Sequence, residues 1–353
     1  MRPRPAALAI PGDIATLTGG YIYDRQILEG LRESGRDVEL IRLGAAFPDP
    51  APGDVADAAA RLAAVAPDRP VLIDGLALGA LPVSALAGMR APLVALIHHP
   101  LAHEGGLAPE RRDHLFRTER EALARAAAVI VTSRHTAELL AAEYRVPPGR
   151  ITVARPGVER PAFPRRPVEP PLILSVGIRA PRKGHDVLLR ALARIAGGHW
   201  QAVIVGGVHD AEYAARLEAL LAELNLGRQV RFAGTVEQAE LAALYAEATV
   251  FALATRYEGH GIVFDEAMAH GLPVVACRTG AVPQTLAPDA GLLVPPDDPE
   301  AFARALDRML SEPGLREEMA SAAGRAGAAL PGWADTAGRV GAVLDRCVVG
   351  AGR

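Results

Sequence analysis

Short apolar runs rich in Val, Ile, Leu and Ala alternate with stretches of helical periodicity along most of the chain. In the first half the runs cover residues 6–10, 38–43, 71–74, 93–97 and 129–132. Between the first two, Tyr23, Ile27 and Leu31 fall at i, i+4 and i+8, one face of a helix that should end near Gly35. Residues 111–127 also read as a helix, of mixed charge. Continuous apolar strands alternating with helices predict a parallel sheet covered on both faces.

Residues 155–171, RPGVERPAFPRRPVEPP, carry six prolines and can be neither a helix nor an inner strand. This segment is expected to link two domains. The alternation then restarts with runs at 172–176, 202–205, 230–233, 250–252 and 273–276, and residues 301–348 read as helices only. The expected organisation is α/β, with Rossmann-like doubly wound domains at 1–165 and 171–330. Such a pair would face each other across a cleft between the carboxyl ends of two sheets, where sheets of this kind bind ligands.

Composition narrows the class. At 353 residues the chain is about twice the usual domain length. With 50% hydrophobic and 22% charged residues it is neither disordered nor a coiled coil. The 38 basic and 41 acidic side chains give a net charge of -3, which argues against nucleic acid as the main partner. Two cysteines, Cys277 and Cys347, cannot form a disulfide scaffold, so a reducing cytoplasm is the expected setting. No apolar run approaches a membrane span. The opening MRPRPAALAI has the charge of a signal peptide, but Pro11-Gly12-Asp13 ends its apolar stretch too early.

Of the 38 basic residues 37 are Arg, leaving Lys183 as the one lysine, and Asn225 is the one asparagine. Both scarcities fit a GC-rich coding bias. Against that bias Lys183 is a candidate for work that needs a compact ammonium rather than a planar fork. It lies in residues 176–186, VGIRAPRKGHD, where Arg179 and Lys183 stand four apart at a strand-to-helix turn. Two cations so placed suit a diphosphate, a solvated basic turn being the plainer alternative.

The richest segment is residues 257–284, YEGHGIVFDEAMAHGLPVVACRTGAVPQ. Glu258 follows a strand, and Gly259-His260-Gly261 leads into a helix starting near Ile262 and Val263, whose free N–H groups form an anion site. Glu266 lies within that helix, placed to accept hydrogen bonds from ribose or sugar hydroxyls. Either glutamate alone would pass as a helix-dipole complement or a solvated acid; the whole string would not. Gly19 and Gly20 follow the first strand and would let backbone approach a ligand closely. His98-His99 closes the run at 93–97, with no carboxylate or cysteine at ligand spacing, a poor metal site. A satisfied loop histidine is the alternative there.

EGHGIVFDEAMAHGLPVVA resembles the signature of the retaining family-4 glycosyltransferases of GT-B fold, with two glutamates separated by seven residues. VGIRAPRKG resembles their diphosphate-binding turn, and TGGYIYDRQILEGLRESG their opening loop and helix. Residues 232–236, FAGTV, followed by Glu240, Leu241, Leu244 and Tyr245, resemble the connecting segment. The likeness runs through nearly the whole chain and is strongest over 172–296.

That resemblance implies a bacterial, cytoplasmic transferase that moves a sugar from a nucleoside-diphosphate sugar, with UDP-glucose as first guess, to an acceptor hydroxyl. Configuration would be retained, with no metal and no other cofactor. Arg179 and Lys183 would grip the diphosphate, helped by backbone N–H groups near Gly261 and Ile262. Glu266 would hold the ribose, Glu258 the donor sugar, and Thr235 and Val236 would lie near the base. Gly19 and Gly20 would close over the donor, and His98 rather than His99 would sit beside the sugar. The family usually has an aromatic where His260 stands, so packing or sugar contact should differ there. The final helix, within 333–353, would pack back on the first domain. The acceptor would be a small molecule, saccharide or lipid. Peripheral membrane contact stays open, although the mixed charges of 111–127 read more as a solvated face than as a lipid patch.

A sugar-nucleotide epimerase on the same fold would need flanking acid and base residues that the sequence does not place. A nicotinamide dehydrogenase lacks its GxGxxG. A two-domain sugar-binding protein would not need paired diphosphate cations.

Overall fold

The computed structural model describes residues 3–195 and 198–349. The chain divides into two compact units, residues 1–157 with 331–353, and residues 158–330. The boundary expected at residue 165 thus falls inside the second unit. There Arg166 and Val168 donate their backbone N–H groups to Ala246 and Glu247.

Among the described residues each unit holds a six-stranded sheet, parallel throughout. In the first unit the elements are β1 (Ala6–Pro11), α1 (Gly19–Glu33), β2 (Val38–Leu43), α2 (Pro52–Ala63), β3 (Val71–Asp74), α3 (Gly75–Leu78), β4 (Leu93–Ile97), α4 (Pro109–Arg125), β5 (Ala128–Val131), α5 (Arg134–Ala142) and β6 (Ile151–Val153). The second unit follows with β7 (Leu172–Val176), α6 (His185–Leu192), β8 (Gln201–Val205), α7 (Ala211–Glu223), β9 (Val230–Gly234), α8 (Gln238–Glu247), β10 (Val250–Leu253), α9 (Ile262–Ala269), β11 (Val274–Cys277), α10 (Val282–Thr285), β12 (Gly291–Val294), α11 (Pro299–Ser311) and α12 (Pro313–Ala328). The chain returns to the first unit as α13 (Trp333–Val349).

Strand order is β2-β1-β3-β4-β5-β6 in the first sheet and β12-β11-β10-β7-β8-β9 in the second. In each, the chain leaves the first strand in opposite directions, so a crevice opens at the carboxyl ends of β1 and β3, and again of β7 and β10. Burial on both faces explains why the strands read as unbroken apolar runs. Along β1, Ala7 and Ala9 enter one core cluster while Ala6, Leu8 and Ile10 enter the other. In β7, Ile173 faces one side and Leu172 and Leu174 the other. Two strands were not expected from the sequence. Both β6 and β12 are short edge strands, and only their partners β5 and β11 distinguish them from loops.

Helix α13 belongs to the first unit for packing reasons. Ala337, Val340, Val343 and Leu344 are buried against the face of α1 that carries Tyr23, Ile27 and Leu31. The helices approach so closely at Gly30 that a Cβ there would lie 2.7 Å from that of Ala337. Arg36, 4% exposed, pairs with Asp345 at 3.0 Å, and Thr336 donates to the carbonyl of Arg155. No described helix is long and apolar enough to cross a membrane.

One buried acid in this unit ties a loop to a helix. Glu119 on α4 accepts the backbone N–H of Leu101 at 3.1 Å, tying the turn after β4 to the helix. Burial pushes its carboxyl up to about 8, against the opposing pull of the Tyr144 hydroxyl and the Leu101 N–H. The folded chain keeps this proton to about pH 8 while the unfolded chain releases it near 4.5, so stability should fall as pH rises between those values. Glu119→Gln keeps an acceptor for Leu101 and should flatten that decline. Urea denaturation should show the variant gaining at least about 1 kcal/mol on the wild type between pH 5 and pH 8. A variant that tracks the wild type at both values would mean the folded carboxyl is ionised.

Candidate active site

The second unit's crevice is built by three loops that follow β7, β10 and β11. After β7 the chain makes a tight turn over Pro181–Lys183, and Gly184 enters the left-handed region at φ 63° to start α6. A Cβ on Gly184 would fall 1.9 Å from the carbonyl oxygen of Ala254, so only glycine lets this turn lie on the loop after β10. The two loops are stitched further. The Arg256 N–H donates to the carbonyl of Arg182, Thr255 Oγ1 lies 2.9 Å from the same oxygen, and the Arg256 guanidinium forks onto Asp186 at 2.8 and 2.9 Å.

That stitching brings Lys183 against Glu258. Nζ lies 2.5 Å from Oε1, with both side chains buried. Thr255 Oγ1 donates to the same oxygen at 3.1 Å, and the Arg182 guanidinium stands 3.8 Å from Oε2. Burial alone would push the Glu258 carboxyl up. The Lys183 and Arg182 cations and the hydrogen bonds from Lys183 and Thr255 outweigh it and hold the group below the usual carboxylate range. The third loop fixes the backbone: Ala281 N–H donates to the Glu258 carbonyl, and a Cβ on Gly280, at φ 50°, would come within 2.4 Å of that oxygen.

Three residues after Glu258, Gly261 takes φ 84° and opens α9, leaving the N–H groups of Ile262 and Val263 in its first turn. His260, just before it, is 6% exposed; its Nε2 meets Asp265 Oδ2 at 2.5 Å within the helix's first turn. The position expected to differ from an aromatic is therefore a buried polar pair. Its Nδ1 has no hydrogen-bond partner among the described residues. Glu266 accepts the Tyr245 hydroxyl at 2.7 Å, and burial raises its carboxyl against the pull of that bond.

Arg179 does not join the Lys183–Glu258 pair. It reaches Glu218 on α7 at 3.0 Å and lies over the Phe232 ring. Thr235 and Val236 follow β9, and a Cβ on Gly207 would sit 3.0 Å from Thr235 Oγ1.

The first unit's crevice holds a second cluster. His98, at the carboxyl end of β4, places Nε2 at 3.0 Å from Asp24 Oδ1 on α1 and 3.4 Å from Asp74 Oδ2 at the end of β3. The sequence places no carboxylate at ligand spacing from His98; these aspartates lie 74 and 24 positions away, and only the sheet order brings them in. The three ligand atoms converge within 4.8 Å, the one group of this kind among the described residues. The Asp24 separation from Nε2 is a hydrogen-bond distance, and that of Asp74 is a longer ionic contact. A Cβ on Gly20 would lie 3.3 Å from His98 Cδ2, so Gly20 leaves room for the ring, whereas Gly19 faces open space. His99 instead meets Glu104 at 2.8 Å in the following loop.

Two units with parallel sheets, each with charged side chains gathered at its own switch point, define a doubly wound α/β class. The family model for glycosyl transferases group 1 matches residues 159–326, and that for glycosyltransferase family 4 matches residues 25–160. A D-inositol 3-phosphate glycosyltransferase of Frankia alni is 34% identical, over 72% of this chain and 69% of that protein. An MMP alpha-(1->4)-mannosyltransferase of Mycolicibacterium hassiacum is 30% identical, over 74% and 67%. Among solved structures, a sucrose-phosphate synthase from Thermosynechococcus elongatus aligns with a TM-score of 0.82 at 26% identity, covering 97% of this chain and 98% of that one. HepE of Anabaena, in complex with UDP-glucose, has the same fold, with a TM-score of 0.79 at 18% identity over 97% and 99%. The chain belongs to the family-4 glycosyltransferases of GT-B fold. It spans about half to two thirds of the length of the curated relatives it matches.

Loss of one partner of the buried pair should be felt by the fold. Lys183→Ala leaves Glu258 buried and uncompensated, and should destabilise the second unit by about 3 kcal/mol or more. Lys183→Met combined with Glu258→Gln should recover most of that loss in urea melts. A single mutant as stable as wild type would contradict a pair that is closed in the free protein.

Proposed function

We propose that the protein transfers a sugar from a nucleoside-diphosphate sugar to an acceptor hydroxyl, with retention of configuration and no metal requirement. UDP-glucose is the first donor to try, on the strength of the UDP-glucose complex of HepE. The observation that carries this reading is the chain's one lysine, buried at the switch point beside Glu258 and in the unit that presents the first turn of α9.

The barrier to such a transfer is departure of a diphosphate from a carbon that becomes cation-like. Lys183 has three N–H donors and can keep Glu258 while donating to a phosphate oxygen. The N–H groups of Ile262 and Val263 add a fixed positive end. Arg179 would exchange Glu218 for the diphosphate, a swap of one ion pair for another. Glu258 then orients the donor sugar through its hydroxyls, and Glu266, with Tyr245 on one side of its carboxylate, accepts from the ribose. His260 and Gly261 border the same donor site, and Thr235 and Val236 flank the base. Gly19, Gly20 and His98 would serve the sugar from the first unit. No side chain is assigned as covalent nucleophile, which fits front-face displacement with the leaving phosphate taking the acceptor's proton. The acceptor is left as a small molecule, saccharide or lipid headgroup, and the cytoplasm, where free cysteines persist, is the proposed setting.

Donor use is tested by incubating the protein with UDP-glucose, GDP-mannose and ADP-glucose and following release of the nucleoside diphosphate. An α-linked donor should give an α-linked product by proton NMR of the initial product, and activity should survive EDTA. A β-linked product, or complete loss in EDTA restored by Mg²⁺ or Mn²⁺, would overturn the mechanism. Glu266→Ala should mainly raise the KM for the donor, since ribose contacts are present in ground and transition states alike, whereas Glu258→Ala should mainly lower kcat, by about 10²-fold or more. Equal, mild effects of both would reduce the two glutamates to supports of the loop.

A further inference from the structure

We infer that Asp24 and Asp74 are positioning residues that hold the Nε2–H of His98, so that the ring presents Nδ1–H as a fixed cationic donor and does not serve as a general base. The inference rests on the reading of His98 as a residue that meets the donor sugar, and it assigns roles to two aspartates that the family signature does not include.

The geometry selects the atoms. Both carboxylates approach one ring nitrogen, Nε2, at 3.0 and 3.4 Å, and no described contact occupies Nδ1. The aspartates are closed off, with side chains 2% and 3% exposed, while the ring keeps 19% of its surface open. The part of the cluster that a ligand can reach is therefore the imidazole. Asp74 is itself anchored, since Oδ1 accepts the Leu76 N–H at 2.9 Å. The ring is clamped in place: the edge of Tyr23 lies against it at 5.2 Å between centroids, Trp333 of α13 backs Tyr23, and Gly20 lies beside Cδ2. Thr132 Oγ1 donates to the backbone carbonyl of His98.

Charge follows from the same arrangement. Two buried carboxylates side by side cannot both ionise without a cation between them. The groups that face the cluster are Asp24 and the Tyr21 phenol from α1, Asp74 from the end of β3, and Asp13 beyond β1. Burial raises the Tyr21 phenol further, and the three aspartates add to it, so it stays neutral. Among the described groups that act on the cluster, the imidazole is the one that can carry positive charge. Burial works against its charge, and the two carboxylates more than reverse that, holding the ring protonated well above its ordinary range. Burial and the neighbouring Asp74 raise Asp24 in turn. An imidazolium with Nε2–H committed to carboxylates has one donor left, Nδ1–H, and no lone pair with which to accept a proton.

The test uses the full chain labelled with ¹⁵N-histidine, the His98 resonances being identified by their loss in His98→Gln. In the wild type both ring nitrogens should remain protonated through pH 8. In Asp24→Asn the ring should titrate at least one pH unit lower. With UDP-glucose, wild-type kcat should show no histidine-like step between pH 6 and pH 8. The Asp24→Asn kcat should fall by roughly 10-fold or more across that range, with KM little changed and activity largely rescued at pH 6.

A wild-type His98 that titrates near 6.5, or a neutral Nδ1–H tautomer, overturns the inference, as does an Asp24→Asn enzyme equally impaired at every pH. Selective broadening of the His98 signals by stoichiometric Mn²⁺ also overturns it, making the carboxylates ligands of a cation. The wild-type titration decides the matter even if Asp24→Asn does not fold. If the ring titrates as expected but no nucleotide sugar is turned over, the proposed function fails and the proton arrangement stands.

Discussion

A lysine and a glutamate 75 residues apart in sequence form a 2.5 Å contact inside the second unit, and the loops at its switch point are arranged around that contact. Moving an ammonium and a carboxylate out of water is costly unless each remains paired and hydrogen-bonded. The fold meets this demand with Thr255 and Arg182 on the carboxylate. It closes the loops with glycines at 184 and 280, where a side chain would collide with backbone. A buried pair of this kind is weak evidence of stability for its own sake. A charge kept dry and in register fits the diphosphate role proposed for this pair.

The first unit solves a similar problem with a different arrangement. There two carboxylates and an imidazole share the carboxyl ends of β3 and β4 and the early turns of α1. The second unit pairs a permanent cation with one acid, whereas the first surrounds a titratable group with two. The contrast fits the chemistry proposed for each. A diphosphate needs positive charge that does not depend on pH. A donor to a sugar hydroxyl needs a directed N–H whose protonation is secured by its neighbours. Both clusters stand where parallel strands end and their connections part, which is also where helix N-termini supply unpaired N–H groups.

His260 stands where the family resemblance leads one to expect an aromatic. Its ring is buried and meets Asp265 of the next helix through a hydrogen bond. Nδ1 is a buried polar atom with no hydrogen-bond partner among the described residues, so this corner is not purely a packing site.

Sequence alone determined the parallel α/β character, the two-unit plan, the strands that lie inside the sheets and the segments that end up at the crevices. Each of these is written in local pattern: apolar runs buried on both faces, glycines where backbone turns sharply, and a single lysine against a background of arginine. Short edge strands escaped, because three or four residues such as those of β6 and β12 acquire strand character only from a neighbour. The unit boundary at residue 157 and the partners of each charge also escaped. Nothing in the spacing of Asp24, Asp74 and His98 marks them as a group, nor does it separate Arg179, held by Glu218, from Lys183, held by Glu258. Those pairings depend on which strands lie side by side, and strand order is set by long-range packing of both sheet faces rather than by any local run of residues.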